Sequence, residues 1–147
     1  MFGDGRMQQA DKINPAAVAE LTRFLEACKE RDIEVAAFLP PYALAVYEEI
    51  ESREDRYPHI LQLKAALDPV FETFGFQVFD FANIATFGSS DQEMKDSIHG
   101  FETALLRMMI SMARENSPLR EFADIPGMEG LLENAYSPRA LQEPEGD

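Results

Sequence analysis

The chain has 147 residues, and its 27 acidic against 13 basic side chains give a formal net charge of -14. This charge argues against nucleic-acid binding and against adsorption to anionic membranes, because both need clustered basic side chains. The single cysteine, Cys28, excludes an internal disulfide and a multi-cysteine zinc site. Length and a hydrophobic fraction of 46% predict one domain, residues 13–136, between a flexible arm (1–12) and a disordered acidic tail (137–147).

The sequence contains no stretch that predicts a membrane-spanning helix. The best apolar run, from Val35 to Tyr47, contains two prolines and is shorter than the roughly 20 apolar residues that a span needs. Residues 1–6 lack the basic and then apolar order of a signal peptide. As written, and if Met1 is the true start, the chain is therefore expected to be cytoplasmic and not inserted in a membrane.

Residues 14–31 have the pattern of an amphipathic helix. Asn14 and Pro15 form a favourable helix start, with Asn as the capping residue and Pro at the first helical position. Apolar side chains then repeat every three or four positions, at Val18, Leu21, Leu25 and Cys28. Because Cys28 lies on this stripe, we expect it to be a buried core residue rather than a nucleophile.

Two short apolar segments predict β-strands. Residues 33–39 are apolar on both parities, which is typical of a strand buried on both faces of a parallel sheet. Residues 76–82 alternate between two faces. One face carries Phe76, Val78 and Asp80, and the other carries Gln77, Phe79 and Phe81.

The remaining segments predict helices. One should run from Pro41 to about Arg53, and another should begin at Pro58 and be kinked at Pro69 or divided at Asp68. The strongest helical pattern runs from Ile98 to Met112, and short helices are expected in 118–135. This order predicts an α/β fold with a short, mostly parallel sheet. Two strands are few against the five or six of a typical sheet, which indicates part of a larger sheet.

Asp96 and His99 are the candidate catalytic residues. A carboxylate three positions before a histidine can accept the Nδ1 hydrogen of the imidazole and leave Nε2 free as a base. The spacing alone also arises by chance, so an incidental pair remains open. Asp80, Asp91, Glu93 and Asp96 leave two alternatives open. They could bind a hard cation, which prefers oxygen ligands, or they could lie in a solvated loop without any ligand. We expect no cofactor and no metal.

Four features, in order, resemble the C-terminal half of an SGNH (GDSL-like) hydrolase-fold protein. They are Ile33-Glu34-Val35 leading to Phe38-Leu39-Pro40-Pro41-Tyr42-Ala43; the amphipathic helices that follow; Val78-Phe79-Asp80-Phe81; and Asp96-Ser97-Ile98-His99 before a final helix. The resemblance covers roughly residues 13–113. It is to the bacterial group found with exopolysaccharide and cell-envelope acylation genes, and it implies a partial three-layer α/β/α, flavodoxin-like fold.

The resemblance also implies a Ser-His-Asp acyl transfer in which His99 is the general base and Asp96 orients it. The family's nucleophile lies in a Gly-Asp-Ser block that this sequence lacks, as it lacks the Gly-x-Asn-Asp block. Gly3-Asp4-Gly5 has glycine in place of the serine and is interpreted as linker. The expected function is the C-terminal portion of an acyl hydrolase or O-acyltransferase for carbohydrate or envelope esters, inactive alone and periplasmic or envelope-associated in a longer exported protein.

The alternative is a non-catalytic acidic α/β interaction module. It would bind a protein partner, or a second copy of itself, through the face that a missing half would cover. Contact between Asp96 and His99 in the folded chain separates the two hypotheses, since the catalytic one fails without it.

Overall fold

The structure is a computed structural model and describes residues 12–115 and 117–143. The expected N-terminal arm, apart from Lys12, and the last four residues of the expected tail lie outside the described residues. The helices and strands are α1 (Pro15–Lys29), β1 (Ala36–Leu39), α2 (Leu44–Ser52), α3 (Pro58–Leu61), α4 (Leu63–Thr73), β2 (Gln77–Asp80), α5 (Glu102–Arg114) and α6 (Ile125–Glu133). Short 3-10 helices cover Ile84–Phe87, Asp91–Glu93 and Pro118–Glu121.

The centre of the fold is a parallel sheet of β1 and β2, in which Ala36 pairs with Gln77 and Leu39 with Asp80. Helices α1 and α4 pack on one face, where Leu25, Cys28 and Phe71 surround Leu39 and Val78. Helix α5 packs on the other face, where Met108 and Met112 contact Phe79 and Phe81. The predicted mixed α/β class, the two faces of the second strand and the buried position of Cys28 are confirmed.

The first strand is shorter and more exposed than predicted. β1 spans only Ala36–Leu39, and Phe38 keeps 46% of its surface exposed although both faces were expected to be buried. Helix α2 begins at Leu44 instead of Pro41. The reason is that Tyr42 forms a further parallel bridge to Asn83 and donates its N–H to the Ala82 carbonyl, so the chain stays extended beyond the two prolines.

The predicted division of the helix at Asp68 is wrong. Helix α4 runs through Pro69, and the break falls at Gln62, between α3 and α4. Pro69 cannot donate to the carbonyl of Ala65, but both residues are exposed, so water can reach that carbonyl. The predicted helix end at Gly75 is confirmed, since this glycine adopts a left-handed φ of 76° directly after the cap residue Phe74.

The segment from residue 137 to 143 contacts α5, although the sequence assigned it to a disordered tail. The Thr103 hydroxyl donates to the carbonyl of Pro138, and the N–H of Leu141 donates to a carboxylate oxygen of Glu102 at 3.1 Å. The guanidinium of Arg139 lies 5.3 Å from the centre of the Phe101 ring. These contacts lie at the start of α5, next to the loop that carries Asp96 and His99.

Candidate functional site

A short hairpin between β2 and α5 positions the two candidate catalytic residues. The N–H of Lys95 donates to the carbonyl of His99 at 2.7 Å, and the N–H of Phe101 donates to the carbonyl of Glu93 at 2.8 Å. An antiparallel bridge between Met94 and Gly100 completes the pairing. Asp96 and His99 therefore lie at the tip of a hairpin, and the prediction that α5 begins at Ile98 is wrong, because this pairing keeps the chain non-helical up to residue 101.

Asp96 and His99 are in direct contact. The Nδ1 atom of His99 lies 2.9 Å from Oδ1 and 2.8 Å from Oδ2 of Asp96. An ionised carboxylate can only accept hydrogen bonds, so Nδ1 carries the hydrogen and Nε2 of the neutral ring has a free lone pair. The His99 side chain is 60% exposed, so its ring is open to solvent. The three-residue spacing made this contact possible, and the structure contains it.

Asp96 also holds the backbone of the hairpin tip. Its Oδ1 atom accepts the N–H of Ile98 at 2.9 Å and the N–H of His99 at 3.0 Å, an Asx-type turn. The hydrogen bond from Ile98, followed by the one from the His99 ring, lowers the pKa of Asp96 from 3.8 to about 2. The carboxylate thus stays ionised, as an acceptor for the imidazole, throughout the physiological pH range.

The lowered pKa of Asp96 predicts how the hairpin tip responds to acid. A depressed pKa stabilises the folded tip above the ordinary value of 3.8, and this contribution is lost as the pH falls towards 2. We expect the amide shifts of Ile98 and His99, followed by ¹H–¹⁵N NMR, to titrate with a midpoint near pH 2. The Asp96→Asn variant should not show this step, and a midpoint near the ordinary value would contradict the prediction.

The hairpin tip is docked at the carboxyl ends of the two strands. The carbonyl of Ser97 accepts the N–H of Ala43 at 2.9 Å, and Asp91 Oδ1 accepts the N–H of Leu44 at 2.5 Å. Ala43 and Leu44 belong to the segment that follows β1. Open parallel α/β sheets commonly bind their ligands outside the carboxyl ends of their strands, and the pair lies at this edge.

A buried ion pair supports the base of the hairpin. The side chain of Glu93 is only 9% exposed. Its carboxylate accepts hydrogen bonds from Nε of Arg107, at 3.0–3.1 Å, and from the hydroxyl of Ser89, at 2.7 Å. Arg107 lies on α5, so the pair joins the hairpin to the helix. Sequence reasoning missed Arg107, although a single basic residue between Leu105 and Met109 in an apolar helix was a usable signal.

The four acidic residues considered for a cation do not form a cluster. Asp80 accepts the N–H of Ala82, Asp91 that of Leu44, Glu93 pairs with Arg107 and Asp96 with His99. Within residues 12–115 and 117–143, no group of three or more His, Cys, Asp or Glu side chains is placed to hold a metal ion.

In the part of the chain that the structure describes, no hydroxyl hydrogen-bonds to the imidazole of His99. All seven serines lie in the described part of the chain, and there none of their hydroxyls hydrogen-bonds to the imidazole. Ser89 is bound to Glu93 and Ser117 to the carbonyl of Met112. Ser97 lies between the two partners, and its carbonyl anchors the tip to Ala43. Within the described residues, the Asp96–His99 pair therefore has no hydroxyl hydrogen-bonded to its imidazole.

Comparison with known proteins gives no relative from which a role can be transferred. Family models, curated protein sequences and solved structures contain no match to the chain. Among the described residues, the structure has no helix that is long and apolar enough to cross a membrane.

Proposed function

We propose that this chain supplies the general base and its orienting carboxylate for Ser-His-Asp acyl transfer, as the C-terminal portion of an SGNH-type acyl hydrolase or O-acyltransferase. The observation that carries the proposal is the 2.8 Å contact between His99 Nδ1 and Asp96, on an exposed loop at the carboxyl edge of a parallel sheet. This contact leaves Nε2 as the only basic atom of the imidazole.

The chemistry follows from the free Nε2 atom. As a serine oxygen attacks the ester carbonyl, Nε2 of His99 accepts its proton, and Asp96 stabilises the imidazolium that forms. The proton then passes to the leaving alkoxide, which departs as an alcohol and leaves an acyl-enzyme. Water or an acceptor hydroxyl next loses a proton to Nε2 and attacks the acyl-enzyme, and the proton returns to serine. Water gives hydrolysis, whereas an acceptor hydroxyl gives O-acyl transfer.

The free edge of β1 supports a nucleophile from a segment outside this chain. Phe81 donates to the carbonyl of Leu39, so by the alternation of a parallel ladder the N–H and C=O groups of Ala36 and Phe38 point away from β2. Parallel sheets are normally covered on both faces, yet Phe38 is 46% exposed. A parallel strand paired here would end beside the Asp96–His99 hairpin, and it would extend the sheet towards the three-layer, flavodoxin-like architecture that the resemblance implies.

The substrate class rests on the resemblance alone. It implies an ester of a carbohydrate or of an envelope polymer as the acyl donor or acceptor, and a periplasmic or envelope-associated location for a longer exported protein.

The second candidate is the non-catalytic interaction module, which the exposed Phe38 favours. An unpaired strand edge beside an exposed aromatic ring can bind a protein partner or a second copy of the chain without any chemistry. The contact between Asp96 and His99 meets the condition set for the catalytic hypothesis, so we rank the module second.

A fluorophosphonate probe, which reacts covalently with activated serines, tests the proposal. The chain of 147 residues should not be labelled. A longer product that includes any in-frame upstream sequence with a Gly-Asp-Ser-like block should be labelled on that serine. The label should be lost in its His99→Ala variant, because the serine then has no base.

Two results would reject the catalytic proposal. One is labelling of the 147-residue chain itself, which would place the nucleophile inside it. The other is labelling of the longer product that persists in His99→Ala. An upstream sequence with no such serine would favour the interaction module.

A further inference from the structure

A groove of about 300 Å³ is lined by residues of α4 and β2 and by Glu115, and its lining includes no residue of β1. This lining indicates that it lies at the edge of β2 that faces away from β1. One wall is a single stripe of α4 with Lys64, Asp68 and Glu72, and Glu115, at the end of α5, borders the other side. The floor is the strand itself, from Phe76 to Phe81. The groove therefore follows the direction of an extended chain.

The edge of β2 presents free hydrogen-bonding groups to this groove. Phe81 donates to Leu39 in β1, so Phe79 and Phe81 face β1 while the N–H and C=O groups of Val78 and Asp80 face outwards. In the described residues, no backbone partner is found for these outward groups. Unpaired edge groups of this kind are the template on which an added strand forms.

The charge of the groove selects what can occupy it. Four carboxylates, those of Asp68, Glu72, Asp80 and Glu115, line it against one ammonium group, that of Lys64. Lys64 already pairs with Asp68. A second copy of the chain would bring the same carboxylates face to face, and residues 137–147 are themselves acidic, so both are electrostatically disfavoured.

We propose that this groove binds an extended, lysine- or arginine-bearing peptide segment of a partner protein as an additional strand on β2. Backbone hydrogen bonds to Val78 and Asp80 provide the pairing, and Glu72 and Glu115 bind basic side chains of the peptide. The site is separate from the Asp96–His99 hairpin and does not depend on the acyl-transfer proposal.

Binding of model peptides to the ¹⁵N-labelled chain tests the proposal. The probes are a hexapeptide of alternating lysine and valine, its counterpart with glutamate for lysine, and the lysine peptide N-methylated at every residue. We expect the lysine peptide to bind at least about tenfold more tightly than the other two, with affinity falling as salt rises. Its amide shift changes should centre on Val78 and Asp80.

Two double variants separate the groove from the general acidity of the chain. Glu72→Gln with Glu115→Gln removes two groove carboxylates and should weaken binding by about three- to tenfold. Glu26→Gln with Glu133→Gln removes the same charge from α1 and α6, away from the groove, and should change binding by less than about twofold.

Several outcomes would overturn the proposal. These are absence of binding, equal binding of the lysine and glutamate peptides, unchanged binding after N-methylation, equal effects of the two double variants, and shift changes centred on Ala36 and Phe38 at the β1 edge. Self-association that perturbs Val78 and Asp80 in sedimentation and NMR measurements would instead assign the groove to a second copy.

Discussion

In a longer product that supplies the proposed serine, substitution of His99 by alanine should lower kcat/KM by about 10⁴-fold or more, because the attacking serine then has no base. The loss should fall on kcat and leave KM within about threefold, since Nε2 acts on the proton of the nucleophile and does not hold the substrate. Hydrolysis of a p-nitrophenyl acetate-type ester measures both constants. The 147-residue chain should show no hydrolysis that depends on His99.

Two substitutions of Asp96 separate its effect on the His99 imidazole from its hydrogen bonds to the hairpin backbone. Asp96→Asn keeps an oxygen for the N–H groups of Ile98 and His99 but removes the charge that stabilises the imidazolium. We expect kcat to fall by about 10⁴-fold while hydrogen exchange at Lys95 and Phe101 stays near its original rate, because the hairpin keeps its acceptor. Asp96→Ala should lose the same activity and also accelerate this exchange, because the turn loses its acceptor.

Ser97→Ala is the matched control for both substitutions. Ser97 lies in the same hairpin tip and contributes its backbone carbonyl, which alanine retains, to the contact with Ala43. Activity should stay within about threefold of the original protein. If Ser97→Ala abolished activity, the nucleophile would be in the hairpin itself, and the proposal of an external serine would be wrong.

Local sequence patterns predicted the structure correctly where the conformation depends on a single helix or strand. The Asn14 cap, the stripe through Leu25 and Cys28, and the alternation of 76–82 each correspond to what the structure contains. The contact between Asp96 and His99 is also local, since it joins residues three positions apart. The spacing made this contact possible without fixing it, and the structure that supports it is a hairpin rather than the expected helix entrance.

The errors arose where pairing between distant segments decides the local conformation. Tyr42 remains extended because it pairs with Asn83, and this delays α2 beyond Pro41. Residues 95–101 remain non-helical because the hairpin and the Glu93–Arg107 pair hold them, which delays α5. In both cases the local sequence favours an earlier helix start, but hydrogen bonds to other segments outweigh this propensity.

The Glu93–Arg107 pair predicts the second large effect, on stability. Arg107→Ala leaves the Glu93 carboxylate, which is 9% exposed, with the Ser89 hydroxyl as its remaining hydrogen-bond donor. Removing one partner of a buried ion pair typically costs about 3–5 kcal/mol. Because the Arg107 side chain is itself 33% exposed, we expect the lower end, about 3 kcal/mol. The free energy of unfolding from urea denaturation measures this loss.

The comparison variant is Arg23→Ala, which removes the partner of Glu20 in a pair whose side chains are 66% and 72% exposed. Solvent screens such a pair, so the change should stay below about 1 kcal/mol. Equal losses for the two arginines would contradict the assignment of a buried pair. The double variant Glu93→Gln with Arg107→Met should recover part of the loss, because it removes the unpaired charge and keeps an apolar stem against the hairpin.

The same substitution connects stability to the candidate site. The backbone carbonyl of Glu93 accepts the N–H of Phe101 and so closes the hairpin whose tip carries Asp96 and His99. When Arg107 no longer holds Glu93 against α5, the hairpin should open more often, and hydrogen exchange at Lys95 and Phe101 should accelerate more than exchange in β2. Exchange that accelerates uniformly would mean that Arg107 stabilises the whole fold and does not specifically position the Asp96–His99 pair.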